Sequence, residues 1–347
     1  MTHRRGAVLL AGIILALAVL MPAAGGAGHP FLDRLRQVFL RPGLEHPTGY
    51  YTFVDEAGNV ILRTAVSVAR GSLFIDPDDN HYRVVGVRGD IVHTVLEPAG
   101  EAALRPPSWS GLQLLEPRLW SPVLPESATA PGGRDLAVPL GAARHVLLIY
   151  HTHSDESYTP TDGRHAIPGN GGIYDVGETM ASALSASGFT VVHDRTAHDP
   201  HDGGAYLRSR RTVRRNLQFG PTLLFDVHRD ASPASEYLTT IDGQPASKIL
   251  FVVGGTNPLL SANMSTVRRL RAAAEELHPG IIRGILVSPA TFNQDLDPGC
   301  VLLEMGTYLI PKSYAQRTAT LWANVVSAVL GAPTPPEAPG AAGDPTP

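Results

Sequence analysis

Cysteine is nearly absent from this 347-residue chain, where Cys300 stands alone. One thiol closes no internal disulfide and builds neither a multi-cysteine zinc cage nor an iron–sulfur site. Any metal centre must therefore be made of His, Asp and Glu, and 14 histidines supply candidates. Lysine is scarce as well: Lys248 and Lys312 are the only ones, so arginine carries nearly all the positive charge. A GC-rich coding sequence explains that bias without a function. An excess of either charge is also missing. The 28 Lys and Arg against 32 Asp and Glu leave a net charge of −4, which gives no basic footprint for nucleic acid. Charged residues make up 17% and hydrophobic ones 43%, and that balance excludes a highly charged disordered protein. At roughly 150 residues per domain, the length predicts about two domains.

What is present begins with a compartment signal. His3-Arg4-Arg5 precedes an uncharged stretch that is strongly apolar over residues 7–21. A basic start and an apolar core read as a signal or N-terminal membrane anchor over residues 1–28. The dense run is shorter than the roughly 20 residues of a comfortable span, and the small residues after it also suit cleavage. The positive-inside rule puts the rest of the chain outside the cytoplasmic membrane, as a single-pass protein or, after cleavage, a secreted one. Without disulfides, a bacterial envelope protein is expected.

Residues 29–48 have helical apolar spacing and read as a juxtamembrane helix. Residues 49–96 switch to period two, with turn clusters at Ala57-Gly58-Asn59 and Asp76-Pro77-Asp78-Asp79-Asn80, and predict a small β module. Residues 97–140 are proline-rich and read as a linker, and residues 332–347 as a disordered Pro/Ala tail. Between them, residues 141–331 alternate apolar runs with amphipathic stretches. Strands are expected at 145–150, 189–192, 222–227, 249–253 and 301–305. Helices are expected at 175–187, 206–218, from Asn257-Pro258 to about 278, and at 312–330. That alternation predicts an α/β layer fold, whose ligands sit beyond the carboxyl ends of its strands.

Those ends carry chemistry. The first strand runs into His151-Thr152-His153-Ser154-Asp155-Glu156, the third ends in Asp226-Val227-His228-Arg229-Asp230, and the last contains Leu303-Glu304-Met305. Glu178 lies in the first turn of the first helix. Two histidines and a carboxylate, with one position left open, form a recurrent catalytic zinc arrangement, and a further carboxylate can serve as general base. Plainer readings stand beside this. Glu178 also completes a capping box with Asp175, and a satisfied core histidine is the alternative for His228. Glu304 is harder to explain structurally, because an unpaired buried charge is expensive. His193 and His198 read as surface or supporting residues, Cys300 as a small packed side chain. The arginines at 208, 210, 211, 214 and 215 read as a solvated helix face.

The blocks LIYHTHSDESY (148–158), YDVGETMASAL (174–184), GFTVVHDRTAHD (188–199), YLRSRRTVRRNL (206–217), LLFDVHRDA (223–231) and FNQDLDPGCVLLEMG (292–306) together resemble the stage II sporulation protein P family. These are membrane-anchored peptidoglycan hydrolases related to zinc-dependent N-acetylmuramoyl-L-alanine amidases. The resemblance implies an α/β fold: a three-layer amidase-like catalytic domain with a mostly parallel central sheet, preceded by a membrane anchor and a small β module. It implies one zinc ion per chain held by His153, Glu178 and His228, with Glu304 as the catalytic carboxylate. His153 is taken over His151 because related amidases place the first ligand a few residues beyond a comparable strand. On an extended chain the two histidines would face the same side.

The implied reaction is cleavage of the N-acetylmuramoyl-L-alanine amide bond, with peptide cross-links as a second target, during septal wall remodelling in sporulation engulfment. The implied partners are peptidoglycan, the cytoplasmic membrane, a sporulation lytic transglycosylase and membrane scaffold proteins. Two rivals remain: a non-catalytic wall-binding protein that recruits hydrolases, and a dinuclear metallo-β-lactamase-like hydrolase. The second rests on the HxHxDH-like run 151–156, in which Glu156 stands at the last histidine position.

Overall fold

The computed structural model describes residues 45–46, 49–99 and 145–331. The segments read as anchor and tail lie outside the described residues, as do most of the juxtamembrane helix and the proline-rich linker. No helix among the described residues is long and apolar enough to cross a membrane.

The fold is mixed α/β around a single large sheet. Its first five strands are β1 (Tyr51–Val54), β2 (Val60–Thr64), β3 (Leu73–Ile75), β4 (His81–Arg88) and β5 (Ile91–Glu97). After β6 (Val146–Tyr150) come the short helix α1 (Thr159–Asp162), α2 (Ile173–Ala186), β7 (Thr190–His193), α3 (Ala205–Asn216) and β8 (Leu223–Asp230). The hairpin strands β9 (Leu238–Ile241) and β10 (Gln244–Ser247) stand apart from the main sheet. Then follow β11 (Ile249–Gly254), α4 (Leu260–Leu277), β12 (Ile282–Ser288), β13 (Cys300–Thr307) and α5 (Lys312–Leu330). The strand order is β2-β1-β5-β4-β3-β12-β11-β13-β8-β6-β7.

The strands β7, β6, β8 and β13 are mutually parallel, β11 and β12 are parallel to each other, and β13 meets β11 antiparallel. The small module is not a separate sheet, because β3 pairs with β12 through Phe74↔Leu286 and carries the strand order across. Gly284 makes this junction possible: it has φ +146°, and a Cβ there would meet Ile75 O and Phe74 Cε2, both at 2.5 Å. Only glycine fits such a close approach.

Alternation along the strands divides the core. Leu147, Ile149, Phe225, Val227 and Leu303 pack against α2, α4 and α5. Trp322 of α5 is fully buried there between Phe225 and Phe251, and removing a buried tryptophan typically costs about 3–5 kcal/mol. Leu148, Tyr150 and Leu224 turn the other way, toward Val213 of α3, so helices flank this half of the sheet on both faces. Asp226, His228 and Glu304 share the α3 side by period two.

Candidate metal centre

Three neighbouring strand ends build the site. Strand β6 stops at Tyr150, and the chain turns sharply through residues 151–157. The turn separates His151 from His153 instead of aligning them. His151 Nδ1 lies 2.8 Å from Val227 O and its Nε2 3.0 Å from His193 Nε2, so both nitrogens are engaged away from the other candidates. Burial is the main cause that holds this imidazole neutral, with a pKa of about 3.

His153 instead meets His228 and Glu156. Glu156 Oε1 is 3.3 Å from His153 Nδ1 and 3.3 Å from His228 Nδ1. Its second oxygen accepts the Arg229 backbone N–H at 2.7 Å, and the Arg229 guanidinium stands 4.0 Å from Oε1. Burial alone would raise the Glu156 carboxyl, yet the charges of His228 and Arg229 and the bond to His153 hold it far below its usual range.

His228 is held from its other side by Asp226, whose Oδ1 is 3.0 Å from His228 Nε2 without hydrogen-bond alignment. Thr152 donates to Asp226 from its backbone N–H at 2.8 Å and from its hydroxyl at 2.6 Å. The Tyr206 ring of α3 stacks near-parallel to His228, with centroids 6.3 Å apart. Burial opposes a charge on His228, but Asp226 and Glu156 overcome it and raise the imidazole pKa well above its usual value.

Glu304 is 4% exposed, and its Oε2 has no hydrogen-bond partner. Burial is the largest cause of its raised pKa. His228 draws it down, while Asp230, Glu156 and Glu45 push it further up.

The donor set fits a divalent cation such as zinc: two imidazoles and a carboxylate converge, and the buried Glu304 Oε2 lacks a hydrogen-bond partner. The ligand atoms of Glu45, His153, Glu156 and His201 also lie within 4.8 Å of one another.

Of the four residues expected from sequence, the structure brings together His153, His228 and Glu304. It does not bring Glu178 to them. Helix α2 packs on the sheet face of Val227 and Leu303, whereas His228 and Glu304 alternate to the opposite face. The Glu178 side chain is 59% exposed, and its Oε2 is 3.1 Å from His193 Nδ1. Glu156 is the carboxylate that meets both imidazoles. It follows His153 by three residues across a turn, a spacing visible in the sequence. Asp226 was equally legible, two residues before His228 on the same strand face. Glu45 and His201 had no local signal, since only tertiary folding brings them here.

A family model described as stage II sporulation protein P matches residues 126–327. The chain is 28% identical over 207 residues to the stage II sporulation protein P of Bacillus subtilis (strain 168), an alignment covering 53% of this chain and 51% of that protein. The chain thus spans about half the length of the curated relative it matches. Among solved structures, the N-acetylmuramoyl-L-alanine amidase AmiC2 of Nostoc punctiforme aligns with 55% of this chain and 99% of its own, at 13% identity and a TM-score of 0.34. The CwlD amidase from Clostridioides difficile, solved in complex with the GerS lipoprotein, aligns with 54% of this chain and 98% of its own, at 8% identity and a TM-score of 0.37.

Proposed function

Because this chain belongs to the stage II sporulation protein P family, we propose that it is a zinc-dependent peptidoglycan hydrolase that cleaves the N-acetylmuramoyl-L-alanine amide bond. The observation that carries this reading is the convergence of His153, Glu156 and His228 beside the unpartnered Glu304 carboxyl at three adjacent strand ends. His153, Glu156 and His228 hold one zinc ion per chain, with Glu156 in place of Glu178. When bound, zinc polarises an amide carbonyl and lowers the pKa of water toward neutrality.

The chain's own groups do the rest. Glu304 Oε2 takes the proton of the attacking water and returns it to the departing amine of L-alanine. Such general acid–base help typically contributes about 10²–10⁴-fold in rate. The Asp226 charge behind His228 steadies that imidazole and raises its basicity, and Arg229 holds Glu156 in place. A purely wall-binding protein has no use for a buried carboxyl poised beside paired imidazoles. The dinuclear alternative needs His151 and His153 on shared metal ions, and His151 is committed to Val227 and His193.

On this reading the catalytic face lies outside the cytoplasmic membrane, tethered by residues 1–28, and acts on septal wall during engulfment. A lytic transglycosylase and membrane scaffold proteins are its partners there, and peptide cross-links its second target. Elemental analysis of the purified full chain tests the reading. One zinc per chain, with hydrolysis lost to a chelator and restored by zinc, is the expected result. A chain that binds no zinc would overturn it.

A further inference from the structure

Glu45 is the one residue in the cluster contributed from outside residues 145–331, and its position is fixed with care. Glu45 forms an isolated antiparallel bridge with Val66. The next residue donates its backbone N–H to Ala65 O at 2.6 Å, and its ring Nε2 is 2.9 Å from Asp90 Oδ1. The segment it leans on is fastened to the catalytic half, where Arg63 also pairs with Glu236 at 3.0 Å. Ala65 N–H donates to Asp230 Oδ1 at 2.8 Å, only two residues beyond His228. Arg283 Nη2 donates to Arg63 O at 2.6 Å, and Ser288 Oγ to Ser67 O at 2.7 Å.

From that anchorage the Glu45 carboxylate reaches into the metal centre. Its Oε1 stands 2.8 Å from His153 Nδ1. Its Oε2 stands 3.2 Å from His201 Nε2, and His201 Nδ1 is 2.9 Å from Asp155 Oδ1. His201, its ring tilted 31° against the His153 ring at a centroid distance of 3.8 Å, thus holds one oxygen of Glu45 and leaves the other facing His153. Zinc–ligand arms of about 2.0–2.2 Å put neighbouring ligand atoms roughly 3.3–3.6 Å apart. Both His153 Nδ1 and His228 Nδ1 stand 3.3 Å from Glu156 Oε1, and Glu45 Oε1 faces the same nitrogen of His153, in a group whose ligand atoms from Glu45, His153, Glu156 and His201 all lie within 4.8 Å of one another.

We propose that Glu45 is a further zinc ligand, supplied by the N-terminal segment, that fills the coordination position a catalytic site must keep open, so that the docked segment holds the enzyme latent. This rests on the zinc-hydrolase reading above. A structural zinc site is closed by four protein ligands, whereas a catalytic one keeps three and a free position. Glu45 in place makes the site closed, and its withdrawal makes it catalytic. His201 is the positioning residue that sets which oxygen of Glu45 faces the metal. The device ties hydrolysis to whatever displaces the segment from Ala65 and Val66.

The test compares the full chain with Glu45→Gln and Glu45→Ala. Glutamine keeps the size and the contact to His201 but is no anionic ligand. Zinc affinity is read by competition with a chromogenic chelator, and hydrolysis by release of soluble fragments from purified peptidoglycan. The expected result is zinc binding weakened by about tenfold or more in both variants, the loss that even outer-shell partners of a metal cause, together with faster hydrolysis at saturating zinc. Unchanged zinc affinity with unchanged or slower hydrolysis would overturn the proposal while leaving the hydrolase reading standing. Failure of the parent chain and both variants to bind zinc would instead remove the hydrolase reading, and this proposal with it.

Discussion

Glu304 and His228 are register partners across the parallel pair β13–β8. Their side chains therefore leave the sheet side by side on the α3 face. The pairing is dictated by two buried strands whose apolar residues face the opposite helices, so it does not depend on loop conformation. A site built on strand ends is held more rigidly than one built on loops.

Glu304→Gln removes the proton acceptor and keeps the shape. Hydrolysis should fall by about 10²–10⁴-fold while the zinc content measured by elemental analysis stays at the parental level. The same loss is expected in the Glu45→Ala background. Parental activity in the Glu304→Gln chain would remove this residue from the chemistry.

Asp226→Asn tests the support behind His228. A carboxylate behind a ligating imidazole fixes its orientation and basicity, and losing it typically costs about 10–100-fold in metal affinity. Chelator competition should register that loss with the fold intact by circular dichroism. Equal zinc affinity in parent and variant would show that the 3.0 Å approach of Asp226 Oδ1 to His228 Nε2 has no bearing on the metal.

Arg283→Met probes the junction of the N-terminal strands with the catalytic half. Arg283 is 6% exposed, and it lies 3.4 Å from Asp230, ion-pairs with Glu236 and sits 4.5 Å over the Tyr237 ring. Removing it strands the buried Asp230 carboxyl, and breaking such a pair typically costs about 3–5 kcal/mol. A urea titration should show this as a lower midpoint. A midpoint equal to that of the parent would mean that Asp230 is compensated elsewhere.

Asp194 gives a pH prediction. Burial pushes its carboxyl up, but hydrogen bonds from Thr196, Asn216 and Arg215 overcome that and bring the pKa down to about 2. The folded pKa lies below the unfolded one, so the stabilisation is present above about pH 4 and is lost as the pH falls toward 2. Asp194→Asn should lower stability at neutral pH and flatten the acid limb of the stability profile over that window. Parallel pH profiles for parent and variant would contradict it.

The elements most legible from sequence were those whose pattern is local. The helix expected at 312–330 is observed as Lys312–Leu330, and the apolar run after Arg144 is the buried strand Val146–Tyr150. Strand β12 is not legible in the sequence, because Arg283 and Gly284 interrupt its apolar run. Both serve tertiary purposes there: Arg283 meets Asp230, and Gly284 admits β3. The β module was legible as strands, but its joining of the main sheet through β3 was not, since that depends on a pairing remote in sequence. The site divides in the same way. His228 and Glu304 stood out because polar groups inside buried strands demand a reason. Glu178 drew attention by its place in a helix, yet the side of the sheet on which that helix packs is invisible in the sequence.

The most direct measurement of the central claim is mass spectrometry of the soluble products released from purified peptidoglycan by the zinc-loaded full chain and its Glu45→Ala variant, each with and without chelator. Free stem peptides beginning at L-alanine, together with glycan strands stripped of peptide and lost on chelation, are the predicted products. Intact sacculi from both zinc-loaded proteins, or fragments cut only within glycan strands, would contradict the account.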